Sequence, residues 1–395
     1  MLRLEADGLI DGVAEGAHRP GRLCITNGRV APPDAAGPGE FDVSLPGCTL
    51  LPGLVDFHTH AGIDTRRGDL RGQAHAPGPV AAGEAVGRLQ DDLRAGVTTA
   101  RLCGDIGGLD LRLRAQIEAG RVVGPRLFVA GRAIKSSRGG GGAVVSVTTD
   151  DPEEIGRAVE RNLAEGVDLV KLFVSDGVGD PAQEPTTCYY GEAHVAAAAR
   201  RAHAAGRPVA AHLLGGAGVA TAIGGGLDVL EHGWFLTDAD LDLIARSGTL
   251  ITLTLGVLCG PHAHAFGDVT EERARLERLG RDACETARKV IARRLRYVLG
   301  TDAVHGRLAD EAVWAVTLGE TPMRAIRAAT AWPAAALGAG DRLGTLEPGK
   351  VADVIAVEGD PLADVRALGR VRMVVRDGRI VYHAGTRPAG EVTPT

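Results

Sequence analysis

Between residues 53 and 345, short apolar runs alternate eight times with stretches rich in Ala, Arg and Glu, and few folds absorb such a pattern. The runs are Leu54 to Phe57, Val97 to Leu102, Arg126 to Ala130, Leu169 to Val174, Pro208 to His212, Val229 to His232, Leu250 to Leu255 and Tyr297 to Gly300. Each is short enough for a strand, and consecutive apolar positions are the mark of strands buried on both faces. Helical candidates between them include Ala82 to Ala95, Asp151 to Glu165, Glu192 to Ala205, Asp238 to Ser247 and Val269 to Arg294. Eight strand-helix units are what an α/β fold of the (β/α)8 TIM-barrel type requires, and a doubly wound sheet is the alternative.

Both ends of the chain read differently. Leu23 to Thr26 and Phe41 to Leu45 near the start, and Ala352 to Val357, Val371 to Arg376 and Arg379 to Tyr382 near the finish, are β-like pieces broken by Gly and Pro. We expect residues 1–52 and 346–395 to build one small β-sandwich, and residues 53–345 to form the barrel.

A barrel carries its chemistry at the C-terminal ends of its strands. Polar residues collect at those ends: His58 and His60 close the first run, Lys171 lies in the fourth, His212 closes the fifth, His232 closes the sixth and Asp302 follows the eighth. In an extended strand His58 and His60 point the same way, with Asp56 on the same face, so the two imidazoles can clamp one metal ion. Two histidines leave a zinc-like ion unfilled, and further ligands must come from elsewhere. Taken singly, His212 and His232 could be core histidines and Asp302 a helix cap. Together, at predicted strand ends, they form a pattern.

Lys171 is the sharpest residue. The chain has 44 basic residues, yet its lysines are only Lys135, Lys171, Lys289 and Lys350, and Lys171 sits in Val-Asp-Leu-Val-Lys-Leu-Phe-Val. Desolvating an ammonium in such a strand costs several kcal/mol unless it is paired or neutralised. Burial in general favours the neutral amine, which can add carbon dioxide and become an anionic carbamate able to bridge two cations. An ion pair with Asp168 or Asp176 is the plainer alternative.

Leu51-Pro-Gly-Leu-Val-Asp-Phe-His-Thr-His60, Gly96-Val-Thr-Thr, the lysine strand, both later histidines, Gly300-Thr-Asp302, Ala328-Ala-Thr-Ala-Trp-Pro-Ala and Leu346-Glu-Pro-Gly-Lys-Val-Ala-Asp occur in one order. In that order they resemble the metal-dependent amidohydrolase superfamily, over nearly the whole chain. The resemblance implies that His58, His60 and Asp302 hold one divalent ion, that His212 and His232 hold a second, and that carboxylated Lys171 bridges them beside a hydroxide. It implies a hydrolase in which that hydroxide attacks a polarised carbonyl while Asp302 carries the proton to the departing nitrogen. Zinc is the default metal for such nitrogen and oxygen ligands.

Within the superfamily the chain looks most like the branch of Xaa-Pro dipeptidases and N-acyl-amino-acid hydrolases. That similarity implies a carbonyl-polarising role for Tyr190. The branch usually carries Gly-Gly-His-Gly after its third strand, whereas here the segment is Ser136-Ser-Arg138-Gly-Gly-Gly-Gly142. Substrate contacts are therefore expected from Arg138, whose fork suits a carboxylate, and from His262, His264 and His305. The expected substrate is a small N-acyl amino acid, dipeptide or cyclic amide. A mononuclear deaminase or imidazolonepropionase-type hydrolase is a second reading, and a non-catalytic binding protein on the same barrel a third.

Composition narrows the setting. A formal net charge of -6, with no dense Lys/Arg cluster, gives no footprint for nucleic acid. No apolar run approaches a bilayer span, and the start of the chain does not resemble a signal peptide, so a cytoplasmic protein is expected. The six cysteines fit reduced thiols better than a disulfide frame. Whether copies assemble into a homo-oligomer is left open.

Overall fold

The computed structural model describes residues 1–32, 35, 41–76, 78–139, 147–178, 182–260 and 270–384. His262 and His264 lie outside the described residues. All eight expected strands are present: β5 (Leu54–Thr59), β6 (Val97–Leu102), β7 (Arg126–Val129), β10 (Val170–Phe173), β11 (Val209–Gly215), β12 (Val229–Phe235), β13 (Leu250–Leu253) and β14 (Tyr297–Leu299). Two short strands, β8 (Ile134–Lys135) and β9 (Val147–Thr148), extend the set. The helix Asp238–Ser247 shows how local chemistry sets the boundaries. Thr237 and Asp240 cap each other at its start, and Gly248, at φ 73°, closes its end in a conformation that suits glycine.

The strands pair in parallel, in the orders β5-β6-β7 and β14-β13-β12-β11-β10-β8-β9. One closed ladder, as the barrel expectation demands, is not what the described residues form. Single backbone-to-backbone hydrogen bonds span the two junctions instead: Asp168 N–H donates to the Val129 carbonyl at 2.8 Å, and Asp302 N–H to the His58 carbonyl at 2.8 Å. Gly300 explains the closeness of the second junction, because a Cβ on it would lie 2.6 Å from the His58 nitrogen.

One apolar layer contains Phe57, Ala130, Leu169, Ala210, Val229, Leu250 and Val298, one residue on or next to each of seven strands. Trp332 and Leu337 pack against it, the former on the short helix Ala331–Ala336. The interior is a packed core rather than a channel.

Both termini contribute to a separate seven-stranded sheet. Its strands are β1 (Leu2–Leu9), β2 (Gly21–Thr26), β3 (Arg29–Val30), β4 (Val43–Pro52), β15 (Val354–Glu358), β16 (Val371–Arg376) and β17 (Arg379–His383), in the order β17-β16-β15-β4-β1-β2-β3. The sheet curls until its ends meet: a Cβ on Gly378 would lie 2.5 Å from the Gly28 Cα. Leu4, Leu23, Ile25, Leu50, Val354 and Met373 fill the resulting core. A single curled sheet thus replaces the two facing sheets of a sandwich.

Candidate metal centre

Strand register brings the candidate ligands together. Phe173 lies opposite His212 across β10 and β11, and Leu213 opposite His232 across β11 and β12. The His212 and His232 rings are 4.6 Å apart, and His232 and His58 are 4.7 Å apart. Asp302 Oδ1 lies 3.3 Å from His58 Nε2 and 3.5 Å from His60 Nε2. His58, His232 and Asp302 present one ligand atom each, all within 4.8 Å of one another.

Each imidazole is fixed through one nitrogen. His58 Nδ1 meets Glu231 Oε2 at 2.7 Å, and His60 Nδ1 meets the Gly104 carbonyl at 2.7 Å. His232 Nδ1 meets the Thr254 hydroxyl at 2.8 Å, and His212 Nε2 the Asp176 carbonyl at 2.8 Å. A carbonyl can only accept, so for His60 and His212 the bonded nitrogen carries the proton and the other offers its lone pair, whereas His58 faces a carboxylate at each nitrogen, Glu231 at Nδ1 and Asp302 at Nε2, and must shed the Nε2 proton to ligate. Such anchoring is the arrangement metal-ligating histidines use.

Burial is the first cause of the histidines' acidity. It pushes His60 down to about 3 and His212 down to about 4, and holds His232 well below its ordinary value, so these rings are neutral and fit to ligate. At His58 burial works the same way but is outweighed by the charges of Cys103 and Glu231 and the Asp302 hydrogen bond, which raise its pKa. At Asp302 burial is outweighed by the His58 hydrogen bond and by the surrounding histidine charges, which lower its pKa well below the usual range.

Lys171 is buried in β10, and among the described residues its Nζ has no hydrogen-bond partner. Its charge acts on His58, His60, His212 and His232. Neither alternative ion pair forms. Asp168 pairs with Arg114 at 2.8 Å, and the Asp176 carboxylate accepts from the Tyr189 hydroxyl and the Gly177 amide. An orphaned buried amine beside four histidines and an aspartate is a donor set that fits divalent cations.

Two of the candidate ligands carry strained backbone. His232 has φ 74° and Asp302 φ 51°, a region costing about 1–3 kcal/mol for residues other than glycine. The turn at His232 has a clear use. Adjacent residues of a regular strand face opposite ways, yet Glu231 and His232 both reach His58.

Several contributors were not anticipated from the sequence. Glu231 is fully buried, bonds His58, and is matched by Arg101 at 2.5 Å, whose guanidinium also lies 3.8 Å over the Phe57 ring. Their signal was legible, as a carboxylate and a guanidinium each inside an apolar strand. Asp105 accepts the Ala61 and Gly62 amides and so fixes the turn after His60, and burial pushes its pKa up to about 6. Asp56 ties β5 to the residue before Asp302 by accepting the Thr301 amide and hydroxyl, and burial raises it to about 7.

Other expected contacts sit elsewhere. His305 is buried between Asp92, 2.8 Å from Nδ1, and the Ile63 carbonyl, 2.9 Å from Nε2, which leaves no ring nitrogen for a substrate. Tyr190 spends its one hydroxyl proton on the Thr149 carbonyl at 2.8 Å and stacks on His194, so it is not placed to polarise a substrate carbonyl. Arg138 is exposed, donating to the Tyr189 carbonyl and lying 3.5 Å from Asp150.

Residues 49–381 match the amidohydrolase family. The chain belongs to that family. This amidohydrolase is 29% identical to ochratoxinase from Aspergillus niger over 374 residues, covering 87% of this chain and 77% of that protein. The crystal structure of the A. niger ochratoxinase superposes with a TM-score of 0.86 at 27% identity, covering 99% of this chain and 97% of that one. A crystal structure of a Xaa-Pro dipeptidase with methionine bound in its active site matches with a TM-score of 0.86 at 28% identity, over 97% of this chain and all of that one. This amidohydrolase is accordingly a hydrolase acting on carbon-nitrogen bonds. Among its described residues no helix is long and apolar enough to cross a membrane.

Proposed function

We propose that this amidohydrolase is a binuclear metal-dependent enzyme cutting an amide or related carbon-nitrogen bond in a small molecule. The observation that carries this reading is the Lys171 amine, buried in β10 without a hydrogen-bond partner among the described residues. A bare ammonium there gives up hydration for no hydrogen bond among the described residues, with the Phe173 ring 5.3 Å away as its aromatic contact. A carbamate formed with carbon dioxide makes the side chain anionic and removes the conflict.

His58, His60 and Asp302 would hold one divalent ion and His212 and His232 another, with carboxylated Lys171 shared; zinc is the ordinary choice. When bound, such ions supply an activated water at neutral pH and polarise the scissile carbonyl. Asp302, placed against both His58 and His60, takes the proton of the attacking water and passes it to the departing nitrogen. Glu231 and Thr254 stop the His58 and His232 rings from rotating as charge develops.

The same reading treats the two parallel sheets as arcs of one (β/α)8 barrel, supported by the seven-strand apolar layer shared by β5 and β14. Residues 1–52 with 346–395 are then one domain and residues 53–345 the other. For substrates we infer N-acyl amino acids, dipeptides or cyclic amides, in line with the methionine held by the similar Xaa-Pro dipeptidase. Arg138, exposed, is the group to meet a substrate carboxylate. A cytoplasmic setting agrees with six free cysteines.

A mononuclear hydrolase is the second reading, favoured by the compact trio His58, His232 and Asp302, which spans both halves of the site. Elemental analysis separates the two. Two ions per chain, with activity on N-acyl amino acids, dipeptides or cyclic amides that rises with bicarbonate, is expected. One ion per chain and an unmodified Lys171 would overturn the binuclear reading.

A further inference from the structure

Away from the histidine cluster, a short turn after β13, Gly256–Cys259, packs on the long helix Thr270–Ala292. Cys259 lies against one turn of that helix, its thiol 3.2 Å from the Gly280 carbonyl and 3.2 Å from Cys284 Sγ. Gly280 makes the approach feasible: a Cβ there would sit 3.3 Å from the Leu258 carbonyl oxygen. The buried Glu311 carboxylate holds the start of the turn, accepting the Leu255 and Gly256 amides at 2.8 and 2.6 Å. The two sulfurs are therefore in contact and held from both sides.

Both thiols, half-buried, line a cavity of about 700 Å³ together with Arg273, Arg281, Arg288 and Trp314. Arg288 pairs with Glu285 and Arg273 with Glu277, whereas no ion pair of Arg281 is found among the described residues. One positive charge is left facing the cavity.

We propose that Cys259 and Cys284 form a thiol pair that is oxidised to an intramolecular disulfide by small carboxylate-bearing disulfides entering this cavity. The Cys284 thiolate attacks one sulfur of the incoming disulfide, whose S–S bond breaks and releases one thiolate. Cys259 then gives up its proton and attacks the Cys284 sulfur, expelling the second thiolate. Two protein thiols are oxidised while one disulfide is reduced to two thiols. The order of attack follows from the environment. The Cys259 thiol, then the Arg288 charge, lower the Cys284 pKa against burial, whereas the Cys259 pKa is raised.

The test uses the full-length protein, reduced and then exposed to oxidised glutathione, with peptide mapping under non-reducing conditions. Two of six thiols should disappear, with one cross-linked peptide pair carrying Cys259 and Cys284 and the other four cysteines unchanged. Cys259→Ser should stop at a glutathione adduct on Cys284, and Cys284→Ser should block reaction at the pair. At low salt oxidised glutathione should react roughly threefold to tenfold faster than the cationic disulfide cystamine. A lasting adduct on wild-type Cys284, or adducts confined to other cysteines, would overturn the pair. Equal rates with both disulfides would overturn the role of the arginine-lined cavity.

Discussion

The two halves of the histidine cluster are built from similar ligands but rest on different electrostatics. Around His58, His60 and Asp302 the supporting groups include two carboxylates, Asp302 itself and the Glu231 that bonds His58, with Arg101 balancing Glu231 from behind. Around His212 and His232 the anchors are a neutral carbonyl and a neutral hydroxyl, Lys171 disfavours a proton on both rings, and the carboxylate within reach of His232 is Asp302, which belongs to the first half. The first half already carries negative charge for a cation. Beyond the shared Asp302, the second would gain negative charge of its own only if Lys171 is carboxylated as proposed. If the centre is binuclear, the halves should fill in that order, and only the second should depend on carbon dioxide.

The sharpest way to break this contrast is Asp302→Asn, which removes the proposed ligand charge and the proposed proton carrier together. We expect turnover to fall toward the upper end of the roughly 10²–10⁴-fold range for general acid-base groups, measured as kcat on metal-replete protein. A loss of less than tenfold would remove Asp302 from the chemistry. Lys171→Met should cost about 10³-fold and also lower the metal content from two ions to one, leaving the His58 half loaded. Retention of both ions by this variant would show that the halves do not differ as argued.

These residues were legible at different depths. The candidate ligands His58, His60, His212, His232 and Asp302 announce themselves because each follows or ends an apolar run, where the fold puts polar residues to use. Lys171 stands out by its scarcity in an arginine-rich chain. Glu231 and Arg101 left a fainter signal, a charge inside an apolar run: Glu231 stands beside a histidine, and nothing in a regular strand suggests that both would face one cluster. Only the left-handed backbone at His232 makes that happen. His305 and Tyr190 failed for the opposite reason, since sequence proximity to the site does not reveal that Asp92 and the Thr149 carbonyl claim them. The first strand, Leu2–Leu9, alternates Leu, Leu and Ala with polar residues and could have been read from that period.

A stability control separates folding from chemistry. His305 is fully buried, and although burial alone would lower its pKa, the Asp92 charge and hydrogen bond raise it above the ordinary 6.5. A raised histidine contributes stability that is complete below its unfolded pKa and is lost as pH rises through its folded value. Asp92→Asn should therefore cost about 3 kcal/mol in denaturant unfolding near pH 6 and flatten the decline of stability above that pH. The metal content should stay at that of the parent protein. Within the cluster, Glu231→Gln keeps the shape but removes the charge behind His58, and about 10–100-fold in affinity for the first ion should be lost. Calorimetric titration should show the tighter of the two sites weakened and the other unchanged.

The smallest expected effect falls on the neutral side, and it tests the comparison from below. Thr254 meets His232 Nδ1 at 2.8 Å, and its hydroxyl brings no charge. Thr254→Val keeps the branched shape while deleting that bond, and a single neutral hydrogen bond is worth about 0.5–1.5 kcal/mol. The second ion should accordingly be held only about twofold to tenfold more weakly, with the first unaffected and catalysis recovered at higher metal concentration. Charge is then the term that distinguishes the halves, because equivalent anchors on equivalent rings differ in little else. A Thr254→Val loss as large as that of Glu231→Gln would show instead that ring orientation dominates, and that the charge on Glu231 matters chiefly for keeping His58 still.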